Sequence, residues 1–129
     1  MNSKDLENRL IDFSIKVVNL IKSLPEDRIT NHLTGQLLRS ATSPALNYGE
    51  AQGAESKKDF VHKLGIVLQE LRESLNCLKI LAGTNYVKTE SPLMKECNEL
   101  VCIFVKSVET NKKKMEEEEK QKSNKKSQI

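Results

Sequence analysis

The sequence predicts an all-α protein, more specifically an antiparallel up-and-down four-helix bundle with a proline-kinked second helix. Three observations lead to this prediction. Apolar residues recur every three or four positions in four successive segments, as they do on one face of a helix. Short connections that contain proline, glycine or serine separate the segments, which favours neighbouring antiparallel helices. No segment shows a convincing strand pattern, because the apolar run 100–105 would form a lone strand without a partner.

The first two helices follow from the apolar spacing and from proline. The first covers residues 5–24 and ends before Pro25, since the residue before a proline is disfavoured in the helical region. The second runs from about residue 27 to residue 54, where Gly53 closes it. Pro44 lies inside this helix and removes the hydrogen bond that the carbonyl of Ser40 would accept, so we expect a kink rather than an end.

The last two helices begin at recognisable caps. Ser56 opens the third helix, residues 57–82, and Gly83 suits its C-terminal cap. A capping serine followed by proline at the first helical position, Ser91-Pro92, opens the fourth. We expect the bundle to comprise residues 1–111. Residues 112–129 are expected to form a charged C-terminal helix extension, supported by pairs such as Glu116 with Lys120, and then a disordered tail.

The charges and cysteines of the 129-residue chain narrow the function classes. Residues 1–105 carry 13 basic and 13 acidic residues, and residues 106–129 carry 8 and 5, so the whole excess of +3 lies at the C-terminal end. This excludes a globally basic nucleic-acid binder. The N-terminal residues lack the apolar stretch of a signal peptide, and the longest apolar run is too short to span a membrane. We expect a cytoplasmic protein with three reduced cysteines, which are Cys77, Cys97 and Cys102.

Two stretches of the chain resemble a known family. They are residues 36–51, QLLRSATSPALNYGEA, and residues 54–66, AESKKDFVHKLGI. Both are similar to the four-helix bundle family that includes proteins encoded in intervening sequences of bacterial 23S ribosomal RNA genes, also called S23 ribosomal protein-like. The resemblance covers about residues 5–110; it departs from the family at Ser43-Pro44-Ala45, where an aliphatic residue or glycine is often found, and in the Lys-rich tail.

The resemblance implies an all-helical bundle that assembles into a ring-like pentamer. The same fold is shared by the accessory variability proteins of diversity-generating retroelements, which bind nucleic acid and a reverse transcriptase. This chain resembles the intervening-sequence branch more closely. The resemblance does not supply a reaction.

Few residues suit metal binding or catalysis. His32 and His62 are the only histidines, and Asp59 with His62 is the nearest approach to a Glu-x-x-His motif, so the ligand set of a di-iron bundle is missing. Cys97 and Cys102 lie in apolar surroundings, where a thiol stays protonated and inert. No nucleophile motif or phosphate-binding glycine loop occurs. We therefore expect no metal, no cofactor and no enzymatic activity.

Asn47 and Glu50, just after Pro44, share one face of the second helix because they are three residues apart. Two interpretations are open. They could form a polar functional site at the kink, or they could be structural, with Asn47 or Ser40 satisfying backbone groups that Pro44 leaves without a partner. The structural interpretation is favoured.

The third helix carries a basic and polar stripe that contains no carboxylate. Lysine, arginine and amide side chains suit contacts with phosphate and sugar, although an ordinary solvated helix face has the same composition. No aromatic residue interrupts the stripe, which argues against sequence-specific reading of a single strand. The candidate nucleic-acid-binding residues are Lys58, His62, Gln69, Arg72, Asn76 and Lys79, with Gly65 between them.

The six consecutive apolar residues 100–105 point in all directions around the fourth helix. A helix in a monomeric bundle needs only one apolar stripe toward the core. The first helix shows a second apolar row as well, at Ile11, Ile15 and Val18. Such surfaces mark interfaces, so we expect a homo-oligomer. An alternative is that loop residues 83–91 cover the fourth helix. The candidate interface residues are Val101, Ile103 and Val105.

Two functional hypotheses follow. The first is a non-enzymatic oligomeric scaffold or adaptor, associated with RNA or with a protein partner and not with a membrane. The second is a direct, non-sequence-specific nucleic-acid-binding protein that uses the stripe of the third helix and the Lys-rich tail.

Overall fold

The computed structural model, which describes residues 1–89 and 91–127, contains four α-helices. They are α1 (Ser3–Ser23), α2 (Arg28–Gln52), α3 (Lys57–Gly83) and α4 (Pro92–Ser127). No strand occurs among the described residues. The predicted all-α four-helix fold is confirmed, and the helix ends lie within a few residues of those expected from the sequence. None of the helices in this part of the chain is both long and apolar enough to cross a bilayer.

Side chains of the preceding loop residues cap the helix starts. Asp27 accepts a hydrogen bond from the backbone N of Thr30 at 2.8 Å, and Ser56 accepts one from Asp59 N at 3.0 Å. Ser91 Oγ accepts from Met94 N at 3.1 Å, as expected for the Ser-Pro start. These bonds satisfy backbone donors that have no partner inside a helix.

The end of α3 differs from the expected glycine cap. Gly83 is the last helical residue, and Asn85, with a φ of 68°, takes the left-handed conformation instead. Tyr86 N donates to Leu81 O at 2.8 Å and Asn85 N to Ala82 O at 3.1 Å. These two bonds define a Schellman motif, in which asparagine can replace glycine because its short polar side chain tolerates positive φ.

Helices that follow one another along the chain are also neighbours in space, and α1 contacts α4. Cross-helix hydrogen bonds fix the relative direction. Between α2 and α3, Lys63 Nζ donates to Glu50 Oε2 at 2.7 Å, while Ser74 Oγ lies 2.9 Å from Ser40 Oγ. A later position on one helix therefore faces an earlier position on the other, so α2 and α3 run antiparallel.

The core fills the space between the four helices. Tyr48 of α2 and Phe104 of α4 meet across its centre, with ring centroids 5.5 Å apart at 84°. This edge-to-face arrangement suits the quadrupoles of the two rings. Aliphatic side chains from every helix surround the pair. The largest fully buried side chains include Phe13, Phe104, Leu10, Leu37, Leu64, Leu71, Leu78, Leu81 and Leu100.

The final part of α4 extends past the first residue of α3 and runs beside the connection between α2 and α3. Lys57, the first residue of α3, donates from Nζ to Asn111 Oδ1 at 2.8 Å, so Asn111 marks the level at which α3 begins. Residues 112–127 continue the helix for about 24 Å. From residue 112 to residue 126 every side chain is exposed except Met115, which is half-buried. Gln128 and Ile129 lie outside the described residues, and the division of the chain at residue 111 stays a prediction.

Candidate nucleic-acid interface

The predicted stripe forms an exposed line along α3, on the side turned away from the core. Its members follow one another at intervals of three or four residues, which places them on one face. Gly65 is half-buried, and the other six members are exposed. In residues 1–89 and 91–127 none of these six side chains makes a hydrogen bond or an ion pair, so their polar groups are available to a ligand. They are Lys58, His62, Gln69, Arg72, Asn76 and Lys79.

Two acidic side chains of α3 near this stripe share one arginine of α2. Glu70 and Glu73 both pair with Arg39, whose Nη1 lies 3.3 Å from Glu70 Oε2. Burial raises the pKa of Glu70, and the charge of Arg39 acts in the opposite direction. On the same side of α3, the ion pair with Glu50 raises the pKa of Lys63. Arg39 therefore compensates the charge of these two carboxylates only in part, and the lysines and arginine of the stripe keep their own positive charge.

The residues around the proline of α2 make separate structural contacts. Pro44 is buried within an otherwise continuous helix. Asn47 Nδ2 donates to the carbonyl oxygen of Ser43 at 3.1 Å and to its Oγ at 2.8 Å. It does not bind the carbonyl of Ser40, the group that Pro44 leaves without its usual partner. Glu50 contacts α3 instead, so the structure does not join Asn47 and Glu50 into one polar site. The kink itself stays a prediction.

The candidate interface residues of α4 are covered in part by the rest of the chain. Val101, Ile103 and Val105 are half-buried and pack against the core, whereas Cys102 between them is exposed. A shallow depression of about 380 Å³ lies over this part of α4. The outer surface of α4 is therefore less apolar than the sequence alone indicates.

The histidines and cysteines do not gather into a site. His32 and His62 are exposed on different helices, and among the described residues no three side chains of the metal-binding types come together. Burial raises the pKa of the Cys97 thiol to about 12, and its Sγ donates to the carbonyl oxygen of Leu71 at 3.5 Å. Burial also raises the pKa of Cys77. Both thiols are held in the protonated form at neutral pH, which is a poor nucleophile.

The chain matches a known family over most of its length. The family described as 23S rRNA-intervening sequence protein matches residues 5–106. This chain belongs to that family. Among solved structures it is similar to a protein of unknown function from the S23 ribosomal protein family of Bacteroides thetaiotaomicron. The two are 28% identical, the alignment covers 80% of this chain and 97% of that one, and the TM-score is 0.72. No curated protein matches the chain.

Membership of the 23S rRNA-intervening sequence protein family confirms the resemblance noted from residues 36–66. Neither the family description nor the description of the similar structure states an enzymatic activity. The relation to the accessory proteins of retroelements stays a prediction.

The sequence did not reveal which residues of different helices lie side by side. Lys95 and Asn98 of α4 lie beside Lys79 of α3 at a common groove. Arg9 of α1 binds Glu96 of α4, 87 positions later in the chain. The only available signal was that each of these polar residues lies near the edge of an apolar helix face. That signal does not identify a partner until the lateral order and rotation of the helices are known.

Proposed function

We propose that this 23S rRNA-intervening sequence family protein is a non-enzymatic, homo-oligomeric scaffold or adaptor of the cytoplasm that associates with RNA. The observation that carries the oligomeric part of the proposal is a set of exposed apolar side chains on the outside of α1 and α2. Ile15 is 53% exposed, Ile11 is 42% exposed and Leu38 is 43% exposed. Exposed apolar side chains that lie together on one face are candidates for contacts with other proteins.

The three apolar side chains lie along one helix–helix boundary. Ile11 and Ile15 are one turn apart on α1, so they share a face. Ser14, one turn after Ile11, donates from Oγ to the carbonyl oxygen of Ala41 at 2.9 Å, so this edge of α1 borders α2. Leu38 lies one turn before Ala41 on α2. A second copy of the chain that covered this boundary would remove all three side chains from water, and the pentamer implied by the family supplies such copies.

Light scattering of the full chain tests the assembly. We expect a particle several times the 14.6 kDa of one chain at micromolar concentration. Ile103→Glu and Ile15→Glu should each shift the particle toward monomer while the helical circular dichroism signal is kept. Ile15→Glu is the cleaner variant because its side chain contributes less to the core. Gln69→Glu places the same charge on the exposed face of α3 and serves as the control. A monomer mass for the unaltered chain would refute the oligomeric proposal.

A second candidate function is direct, non-sequence-specific nucleic-acid binding through the stripe of α3 and the Lys-rich tail. It is favoured by the six exposed and unpaired side chains of the stripe. Residues 112–129 add seven lysines against four glutamates, an excess of +3. A protein that neutralises several phosphates loses affinity steeply as salt rises, whereas an adaptor that reaches RNA through a protein partner does not bind purified RNA at all. Affinity measured over a salt series therefore separates the two functions.

The RNA itself can be identified by recovering the protein from its own cells and sequencing the RNA that co-purifies. We expect enriched RNA whether the protein binds directly or through a partner. Recovery without enrichment over a charge-matched helical bundle would contradict an association with RNA and leave a purely protein-binding scaffold.

A further inference from the structure

A groove lies between the last turns of α3 and the first turns of α4. Its volume is about 310 Å³, at the lower end of the range for sites that hold one small ligand. Polar groups line its rim and apolar side chains line its floor. The lining residues are Leu75, Lys79, Thr89, Met94, Lys95 and Asn98.

The rim of this groove is positively charged. Lys79 of α3 and Lys95 of α4 are exposed, and neither makes an ion pair or hydrogen bond in the described part of the chain. The acidic residues of the first turns of α4 are engaged elsewhere, because Glu96 and Glu99 both bind Arg9 of α1. Two ammonium groups from different helices therefore face a common space whose described lining contains no carboxylate.

The floor of the groove is apolar, unlike that of a site that binds only a charged group. Leu75 is buried and Met94 is half-buried, so together they present an apolar surface between the two lysines. Asn98 adds an amide and Thr89 a hydroxyl, which can exchange hydrogen bonds with a base edge, a ribose or a phosphate. A ligand that fits this combination has an anionic group beside a flat, weakly polar ring.

We propose that the groove between α3 and α4 binds one nucleotide unit of single-stranded RNA, with its phosphates on Lys79 and Lys95 and its base over Leu75 and Met94. The inference rests on the association with RNA proposed above and locates it on the surface. The neighbouring stripe residues Arg72 and Asn76 give the backbone of the strand a path along α3.

A single strand fits the groove better than a duplex does. In a duplex the bases are stacked and paired, so that only phosphates and riboses reach a narrow groove. An unpaired base can turn out of the strand and place its face on side chains of the protein. Because aliphatic side chains replace an aromatic platform here, we expect little preference for base sequence.

Binding of a labelled single-stranded oligoribonucleotide of about ten residues, followed by fluorescence anisotropy over a salt series, tests the proposal. Each phosphate contact with a single strand contributes about −0.7 to the slope of log affinity against log salt. Loss of one contact therefore weakens binding about fivefold at 0.1 M salt. The double variant Lys79→Gln with Lys95→Gln should bind roughly 25-fold more weakly, with a slope reduced by about 1.4.

The control is Lys4→Gln with Lys16→Gln, which removes the same charge from exposed positions of α1. Neither residue lines the groove, and α1 does not contact α3 in the described structure. An equal loss of affinity in the groove variant and in the control would refute binding at the groove but not the association with RNA. No binding by the unaltered chain would overturn the groove and the direct-binding function together. Equally strong, equally lysine-dependent binding of a duplex would refute the contact with a base.

Discussion

One arginine of α1 binds two acidic residues of α4. Arg9 Nε donates to Glu96 Oε2 at 2.8 Å and Arg9 Nη2 to Glu96 Oε1 at 2.6 Å, a bidentate arrangement. Arg9 Nη2 also lies 2.8 Å from Glu99 Oε1. The side chains of Arg9 and Glu96 are each only 23% exposed. Fewer residues of α1 and α4 come close together than in any other neighbouring pair of helices, so we expect this charged cluster to close the bundle.

Arg9→Met tests the contribution of the cluster. Methionine keeps an unbranched apolar stem, so the change removes mainly the guanidinium. Hydrogen bonds to charged groups contribute about 1.5–3 kcal/mol to stability. The variant also leaves Glu96 and Glu99 close together without their cation. We expect the free energy of unfolding to fall by about 1.5–3 kcal/mol, which lowers the melting temperature by roughly 5–15 °C for a chain of this size.

Urea denaturation at a fixed protein concentration, followed by circular dichroism, measures this loss. Lys16→Met is the matched control, because Lys16 pairs with Asp12 on the same helix at 2.9 Å but both side chains are more than half exposed. Such a surface pair contributes about 0.5 kcal/mol or less. A double-mutant cycle of Arg9→Met with Glu96→Gln isolates the coupling between the two helices. If Arg9→Met cost no more than Lys16→Met, the cluster would not be what closes the bundle.

Three further changes have distinct expected outcomes. Pro44→Ala should lower the melting temperature if the bundle is built around a bend, even though helix propensity alone favours alanine by about 3 kcal/mol. A higher melting temperature with an unchanged oligomer would show that the bundle does not require a kink. Truncation after Asn111 should change stability by less than about 0.5 kcal/mol in thermal unfolding and weaken binding to nucleic acid, whereas a large loss of stability would show that the extension packs. In the monomeric state a thiol reagent should modify the exposed Cys102 rapidly and leave Cys97 unmodified from pH 7 to 9, since burial raises the pKa of Cys97 to about 12; rapid modification of both cysteines would contradict the buried position.

The elements of this fold could be predicted from the sequence because their causes are local. The spacing that places Phe13 and Phe104 in the core is set by 3.6 residues per turn, whatever the helix packs against. Ser56 and Ser91 cap helices through hydrogen bonds to residues three positions later. Asn85 shows the limit of this reasoning. The rule that glycine follows a helix end placed the left-handed residue at Gly83, whereas the structure has it two residues later, at Asn85.

The candidate site could be predicted only within one helix. The stripe of α3 was correctly identified as exposed, since a single helical period places its members opposite the core. Its continuation to Lys95 and Asn98 could not be found, because that contact depends on which helix lies beside α3 and how it is rotated. The pairing of Arg9 with Glu96 could not be predicted for the same reason. Contacts of this kind are set by packing between helices and leave no fixed spacing in the sequence.

The distribution of apolar surface bears on how copies of the chain would assemble. Full burial of an isoleucine or leucine contributes about 1.5–3 kcal/mol. Covering the exposed 42–53% of Ile11, Ile15 and Leu38 would therefore contribute roughly 2–4 kcal/mol, less than most of the range of about 4–15 kcal/mol estimated for association. In a closed ring of five, each contact joins two different surfaces. The α1–α2 boundary then needs a different apolar partner, and α4 around Ile103 and Val105 offers one. If copies of the chain form such a ring, we expect the two surfaces to be the two halves of a single contact, so that a charge introduced into either half weakens the same ring.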